Sequence, residues 1–161
     1  MAYGGGDPAR YAEELARAKA ASVKGEVVVG ADTIVVLDGQ VLGKPHDQGE
    51  AASMLHRLSG RSHEVMTAVA VKDAQGLRSG HTRARVSFRP LRPEVIEAYA
   101  ATEEPLDKAG SYALQGGAAG FVTDLRGDPQ TVIGLPISLL CQLLQFPPPC
   151  ADDGGATTRA G

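Results

Sequence analysis

Three absences in this 161-residue sequence narrow its function before any motif is read. Cysteine is almost missing: Cys141 sits in the apolar run "ISLLCQLL" and Cys150 in a proline-rich tail, and neither has a partner at metal-ligand spacing. A reducing cytoplasmic location is therefore expected. There is no excess of positive charge, since sixteen Lys+Arg stand against nineteen Asp+Glu for a net charge of −3. That argues against a general binder of nucleic acid or of anionic membranes, although a small anionic substrate needs only a few local lysines. Long apolar runs are also lacking. The most apolar stretch, near 132–146, is interrupted by Pro136, Ser138 and Gln142 and falls short of the roughly 20 residues of a membrane span. The opening "MAYGGGDPAR" has neither the basic nor the apolar segment of a signal peptide, so none is expected. No internal repeat is found.

What is present is the composition of one globular domain, with 43% hydrophobic and 22% charged residues. Asp7-Pro8 is a helix start, with Asp as the cap and Pro at the first helical position, and "ARYAEELARAKAAS" follows with helical spacing. A strand is expected at Val27–Gly30, continued by "TIVVL" beyond a bend at Gly30–Asp32. Asp38-Gly39 signals a hairpin turn, and "QVLGKP" leaves it. Asp47 caps a second helix running to Leu58, and Gly60 ends it. "HEVMTAVAV" reads as a buried strand. In the strand after it Thr82, Ala84, Val86 and Phe88 face one way, and His81, Arg83, Arg85 and Ser87 the other. Pro93 opens a helix, "FVTDL" is a strand and "PISLLCQLLQ" a closing helix. The domain is placed at 1–146, and 147–161 reads as a disordered tail. Interleaved helices and hairpins predict an α/β or α+β protein built on a mixed, twisted β-sheet flanked by helices.

Candidate chemistry begins at "VVVGADTIVVL" (27–37), where Asp32 interrupts an apolar run. A carboxylate there is costly to bury unless paired, so it is either a satisfied structural acid or a working one. Small neighbours, Gly30 and Ala31, let a ligand approach the backbone. Lys44 follows across the hairpin and can hold phosphate charge, pair with the acid or simply be solvated. Arg61, in "LSGRSHEV", is a candidate phosphate contact. His63 reads as a polar residue at a strand start, with no second histidine at ligand spacing for zinc. The loop "DKAGSYALQGG" (107–117) holds Lys108, Tyr112 and Gln115, and the Gln115 amide offers both a donor and an acceptor to a base edge. It lacks the spacing of a Walker-type phosphate loop.

Taken together, "GADTIVVLDGQVLGKP", "AxxMLxxLSGRxHEV" with Thr67 after it, "KAGSYALQG" and "GLP" resemble, in order and spacing, the Maf family of septum-formation-related nucleotide pyrophosphatases, from about Asp7 to Leu144. The resemblance implies an α/β fold like that of the inosine triphosphate pyrophosphatases. It also implies hydrolysis of a nucleoside triphosphate to a monophosphate and pyrophosphate with a divalent cation, Mg²⁺ or Mn²⁺, in a homodimer; composition gives no nucleic-acid or membrane partner. Matched position by position, Asp32 is the proton acceptor or metal ligand, and Lys44 and Lys19 are phosphate-binding catalytic lysines. Thr33 and Gln115 are the base readers of the dTTP/UTP subgroup, with modified nucleotides as further substrates. Lys108 and Arg61 are expected to contact substrate as well. One departure stands out: the family opens with a strand and an "SxSPRR" loop, and "MAYGGGDPAR" contains neither. That departure leaves two expectations: a misassigned start, or a truncated chain that as written is nearly inactive because the loop's serine and arginines are missing. The alternative it suggests is a Maf-like nucleotide-binding or cell-division regulatory protein.

Overall fold

A computed structural model describes residues 2–146, so Cys150 and the expected disordered tail at 147–161 lie outside it. Five strands form one antiparallel sheet in the order β2-β1-β3-β4-β5. They are β1 (Val28–Leu37), β2 (Gln40–Leu42), β3 (Ser62–Asp73), β4 (Gly76–Phe88) and β5 (Val122–Arg126). The helices are α1 (Pro8–Ala21), α2 (Gln48–Leu58), α3 (Pro93–Ala100), α4 (Pro129–Ile133) and α5 (Ile137–Leu144). The sheet flanked by helices is the expected α/β architecture, but the sheet is wholly antiparallel rather than mixed, because β1–β2 and β3–β4 are hairpins and the connections through α2 and α3 set β3 beside β1 and β5 beside β4 in opposite directions.

Local chemistry explains most of these boundaries. The Asp7 carboxylate accepts from the Ala9 amide with Pro8 inside the first turn, and Asp47 accepts from the Glu50 amide at 2.8 Å. Asp38 and Gly39 both take positive φ, 51° and 75°, as a tight two-residue hairpin requires. Two expectations need correction. β1 is continuous, paired to β3 without a break from Val28↔Lys72 to Val36↔Glu64, so there is no bend at Gly30–Asp32. Gly30 instead allows close approach by α1, because a Cβ there would lie 2.4 Å from the Ala16 carbonyl oxygen and 2.7 Å from the Ala20 nitrogen. α4 was not foreseen, although Asp128-Pro129 repeats the Asp-Pro start of α1 and Asp128 accepts from the Gln130 amide.

Alternation along the strands gives the sheet two buried faces. Val35, Leu37, Val65 and Val86 point into a cluster with Leu55 and Leu58 of α2, Ile96 of α3, Phe88, Tyr112 and Phe121. Ile34, Val36, Met66, Ala68 and Ala70 point the other way and meet Ala9, Ala12, Ala16 and Ala20 of α1. β2 pairs only with Val35–Leu37, so the outer edge of β1 from Val28 to Ile34 has no strand beside it among the described residues.

Candidate active site

The site forms at that uncovered edge of β1, where consecutive side chains leave on opposite faces. Asp32 lies on the α1 face. α1 is lined with alanine and packs close, which brings Lys19 of its last turn over the strand. The Lys19 ammonium donates to Asp32 Oδ1 and, at 3.2 Å, to the Ala31 carbonyl. The Asp32 side chain is 15% exposed and that of Lys19 54%, so the acid is sheltered while its partner reaches solvent.

Thr33 lies on the other face. Its Oγ1 is 2.8 Å from Thr67 Oγ1, and the Thr67 hydroxyl donates to the Thr131 carbonyl at 2.6 Å. Because the Thr67 proton is committed, Thr33 is the donor in the first bond, and only its lone pairs remain for a ligand. Gly134, with φ of 117°, closes over this threonine.

Two later segments complete the site. The Gly110 amide donates to the Gly43 carbonyl at 3.1 Å, tying the loop around 107–111 to the strand leaving the hairpin. Gly110 has φ of 68°, and a Cβ there would meet Val35 Cγ2 at 2.7 Å, so glycine is required for the contact. Lys44 Nζ and Lys108 Nζ then flank one carboxylate, at 3.8 Å and 3.7 Å from the Asp107 oxygens. Lys19, Asp32, Thr33, Lys44, Asp107 and Lys108 line a cavity of about 220 Å³. A second cavity, of about 260 Å³, is lined by Glu104, Leu114, Gln115 and Gly116. Lys108, Tyr112, Val132 and Ile133 border both, so the two adjoin.

The fold thus gathers Lys19, Asp32, Thr33, Lys44 and Lys108 at one cavity and Gln115 at its neighbour. Arg61 is not brought there. Its guanidinium donates to both Asp38 oxygens at 2.7 Å, at the hairpin, and it lines neither cavity. Asp38 is six residues beyond Asp32, roughly 20 Å along a strand. His63 stands at the start of β3, as read, but it is buried, at 3% exposure. Its Nε2 lies 2.7 Å from Tyr112 Oη, its ring packs edge-on against Phe88, and burial pushes its pKa down to about 4. Burial likewise raises the Tyr112 phenol above its ordinary value.

Asp107, Glu104 and the end of α4 at Val132 and Ile133 were not singled out as site residues from sequence. Only the Asp128-Pro129 cap gave a local signal for the last of them. No group of three or more His, Cys, Asp or Glu placed to hold a metal ion occurs among the described residues, and no helix among them is long and apolar enough to cross a membrane.

Comparison with known proteins agrees with this arrangement. The family described as "Maf-like protein" matches residues 3–146. A protein of Symbiobacterium thermophilum named dTTP/UTP pyrophosphatase is 49% identical over 141 residues, spanning 85% of this chain and 73% of that protein. One of Anaeromyxobacter sp. with the same name is 45% identical over 165 residues, spanning 97% of this chain and 80% of its own length. Another, of Aromatoleum aromaticum, is 45% identical over 150 residues, 87% of this chain and 73% of that protein. With a family match over nearly all of the described residues and relatives at this identity, the chain belongs to the Maf family.

Proposed function

We propose that this chain is a nucleoside triphosphate pyrophosphatase that hydrolyses dTTP and UTP to the monophosphate and pyrophosphate. The observation that carries the reading is the division of labour between the two adjoining cavities. One holds a sheltered carboxylate, Asp32, among three lysines, Lys19, Lys44 and Lys108. The other holds the Gln115 amide beside the apolar side chains of Leu114, Val132 and Ile133. The names carried by the relatives point the same way.

In this reading the triphosphate lies in the lysine-lined cavity and the base in the other. A water molecule attacks at the α,β-phosphoanhydride, its proton passes to Asp32, the anhydride bond breaks and pyrophosphate leaves. Lys19, Lys44 and Lys108 balance the charge that builds on the phosphate oxygens. The Lys19 ammonium also holds the Asp32 carboxylate in place by donating to its Oδ1. Gln115 bonds the pyrimidine edge, and Thr33 offers an acceptor at the mouth of the first cavity. Asp32 and Asp107 are hard oxygen donors, the set suited to Mg²⁺ or Mn²⁺, which take one or two carboxylates and complete their shell with water and phosphate oxygens. Asp32 would hold such an ion, which when bound would offset phosphate charge. Resemblance to the family further supports a homodimer, testable by light scattering.

The test is pyrophosphate release from dTTP, UTP, CTP and ATP by the purified chain and by a version extended upstream with an "SxSPRR" segment, whose serine and arginines add phosphate-binding donors and should raise the rate. Hydrolysis of dTTP and UTP ahead of the others is expected. Gln115→Glu should depress it, because a carboxylate cannot donate to a base carbonyl. Equal rates on all four nucleotides, or no loss in Gln115→Glu, would overturn the assignment.

A further inference from the structure

Gln115 is not the only polar group in the second cavity. Glu104 stands beside it, and its two carboxylate oxygens have different surroundings. Oε2 accepts from the Tyr99 hydroxyl at 2.7 Å and from the Gly117 amide at 3.0 Å. The Tyr99 oxygen in turn accepts from the Ala113 amide at 3.1 Å. Glu104 and Tyr99 therefore clasp the segment on both sides of Gln115. Oε1 takes no part in the clasp. It lies against Gly116, where an added Cβ would sit only 1.7 Å from it, so glycine is needed at 116 to leave room for the carboxylate.

We infer that Glu104 is a specificity-determining residue: its Oε1 accepts the ring N3–H of uracil or thymine while Gln115 serves the neighbouring carbonyl. The inference rests on the nucleotide reading above. Uracil and thymine present a donor at N3 between two carbonyl acceptors, whereas cytosine presents an acceptor at N3. The side chain that separates them must offer an acceptor at that point, and a glutamine alone, free to rotate its amide, does not enforce one. Glu104 does, because a carboxylate has no donor to turn inward. The orientation of a replacement is dictated by the same clasp. In Glu104→Gln the amide oxygen is needed to accept from Tyr99 and Gly117, so the NH₂ group takes the place of Oε1 and presents a donor.

This makes a specificity reversal the test. Binding of UMP and of CMP is measured by calorimetry for the wild type, E104Q and Y99F, with pyrophosphate release from dTTP measured in parallel. The wild type should bind UMP more tightly than CMP. In E104Q the UMP-to-CMP affinity ratio should fall by about tenfold or more, with CMP binding improving in absolute terms, as expected for exchanging a matched hydrogen bond for a mismatched one. Y99F loosens the clasp without altering the acceptor, so it should weaken both ligands and leave their ratio alone. If E104Q does not fold, E104A should bring the ratio toward unity. An unchanged ratio in these Glu104 variants, or equal loss of both ligands, would reduce Glu104 to a loop clasp and overturn the inference. Selective UMP binding without pyrophosphate release would sink the proposed reaction and leave the role of Glu104 standing.

Discussion

The two faces of the sheet are packed by opposite means. On one, Leu55, Leu58, Ile96, Val86 and Phe88 fill the space between strands and helices with volume. On the other, α1 presents Ala9, Ala12, Ala16 and Ala20 and comes down until Gly30 touches its backbone. Large side chains hold α2 and α3 at a distance and contribute stability through buried apolar area. Small ones sacrifice area for proximity, and the proximity has a use: Lys19, near the end of α1, reaches Asp32 on the strand beneath. The bulky face stabilises the fold, and the alanine face sets the distance between two charged groups. Mutations should separate these roles.

The largest effect is expected on the bulky face. Leu55 is fully buried, and Leu55→Ala should cost roughly 2–5 kcal/mol of stability through lost burial and the cavity left behind. Urea denaturation measures this, and a loss below 1 kcal/mol would mean that the face collapses to fill the gap. Asp32→Asn, on the alanine face, should do the reverse. Turnover of dTTP should drop by about 10² or more, the usual cost of losing a general base, while the denaturation midpoint stays close to wild type. Near-normal turnover would show that Asp32 is only the structural partner of Lys19.

Gly30→Ala probes proximity itself. A single added methyl meets the Ala16 carbonyl, so α1 must move away, at a cost of roughly 1–3 kcal/mol. Because Lys19 moves with the helix, turnover should fall at temperatures where the variant is still fully folded. A variant that loses stability but keeps full turnover would uncouple packing from the charge pair. The last effect, at His63 in the bulky core, is read only through its dependence on pH. Burial holds its pKa at about 4, against about 6.5 for an ordinary histidine, so between these values the unfolded chain binds more protons than the folded one. The contribution of neutral His63 is complete above about pH 6.5 and is lost as pH falls toward 4. In His63→Gln the dependence of unfolding free energy on pH over that window should flatten, and an unchanged slope would assign it to other groups.

Much of the fold was legible in the sequence because its signals are local. Asp-Pro and Asp caps set where α1 and α2 begin, Asp38-Gly39 forms its hairpin from two residues able to take positive φ, and alternation sorted Ala84, Val86 and Phe88 from Arg83 and Arg85. Asp32 announced itself as a charge in an apolar strand. Other features were not legible, because they depend on which segments meet. Gly30 reads as a bend until α1 is seen resting on it. His63 stands at a strand start as read, but its burial under Tyr112, 49 residues away, cannot be read from its neighbours. Arg61 reads as a phosphate contact, and its pairing with Asp38 at the hairpin, away from both cavities, is visible only in the fold.

The sequence by itself determined the turns, the helix starts and the alternation of faces, because caps, positive-φ residues and side-chain period act over a few neighbouring residues. Only the tertiary structure decided that Lys19, Lys44 and Lys108 surround one carboxylate-bearing cavity, and that Glu104 stands beside Gln115 with one oxygen clasped and the other turned aside. Those distances come from how closely an alanine-lined helix and a glycine-hinged loop can approach the strand, and close approach is a property of two surfaces together, which no single stretch of sequence contains.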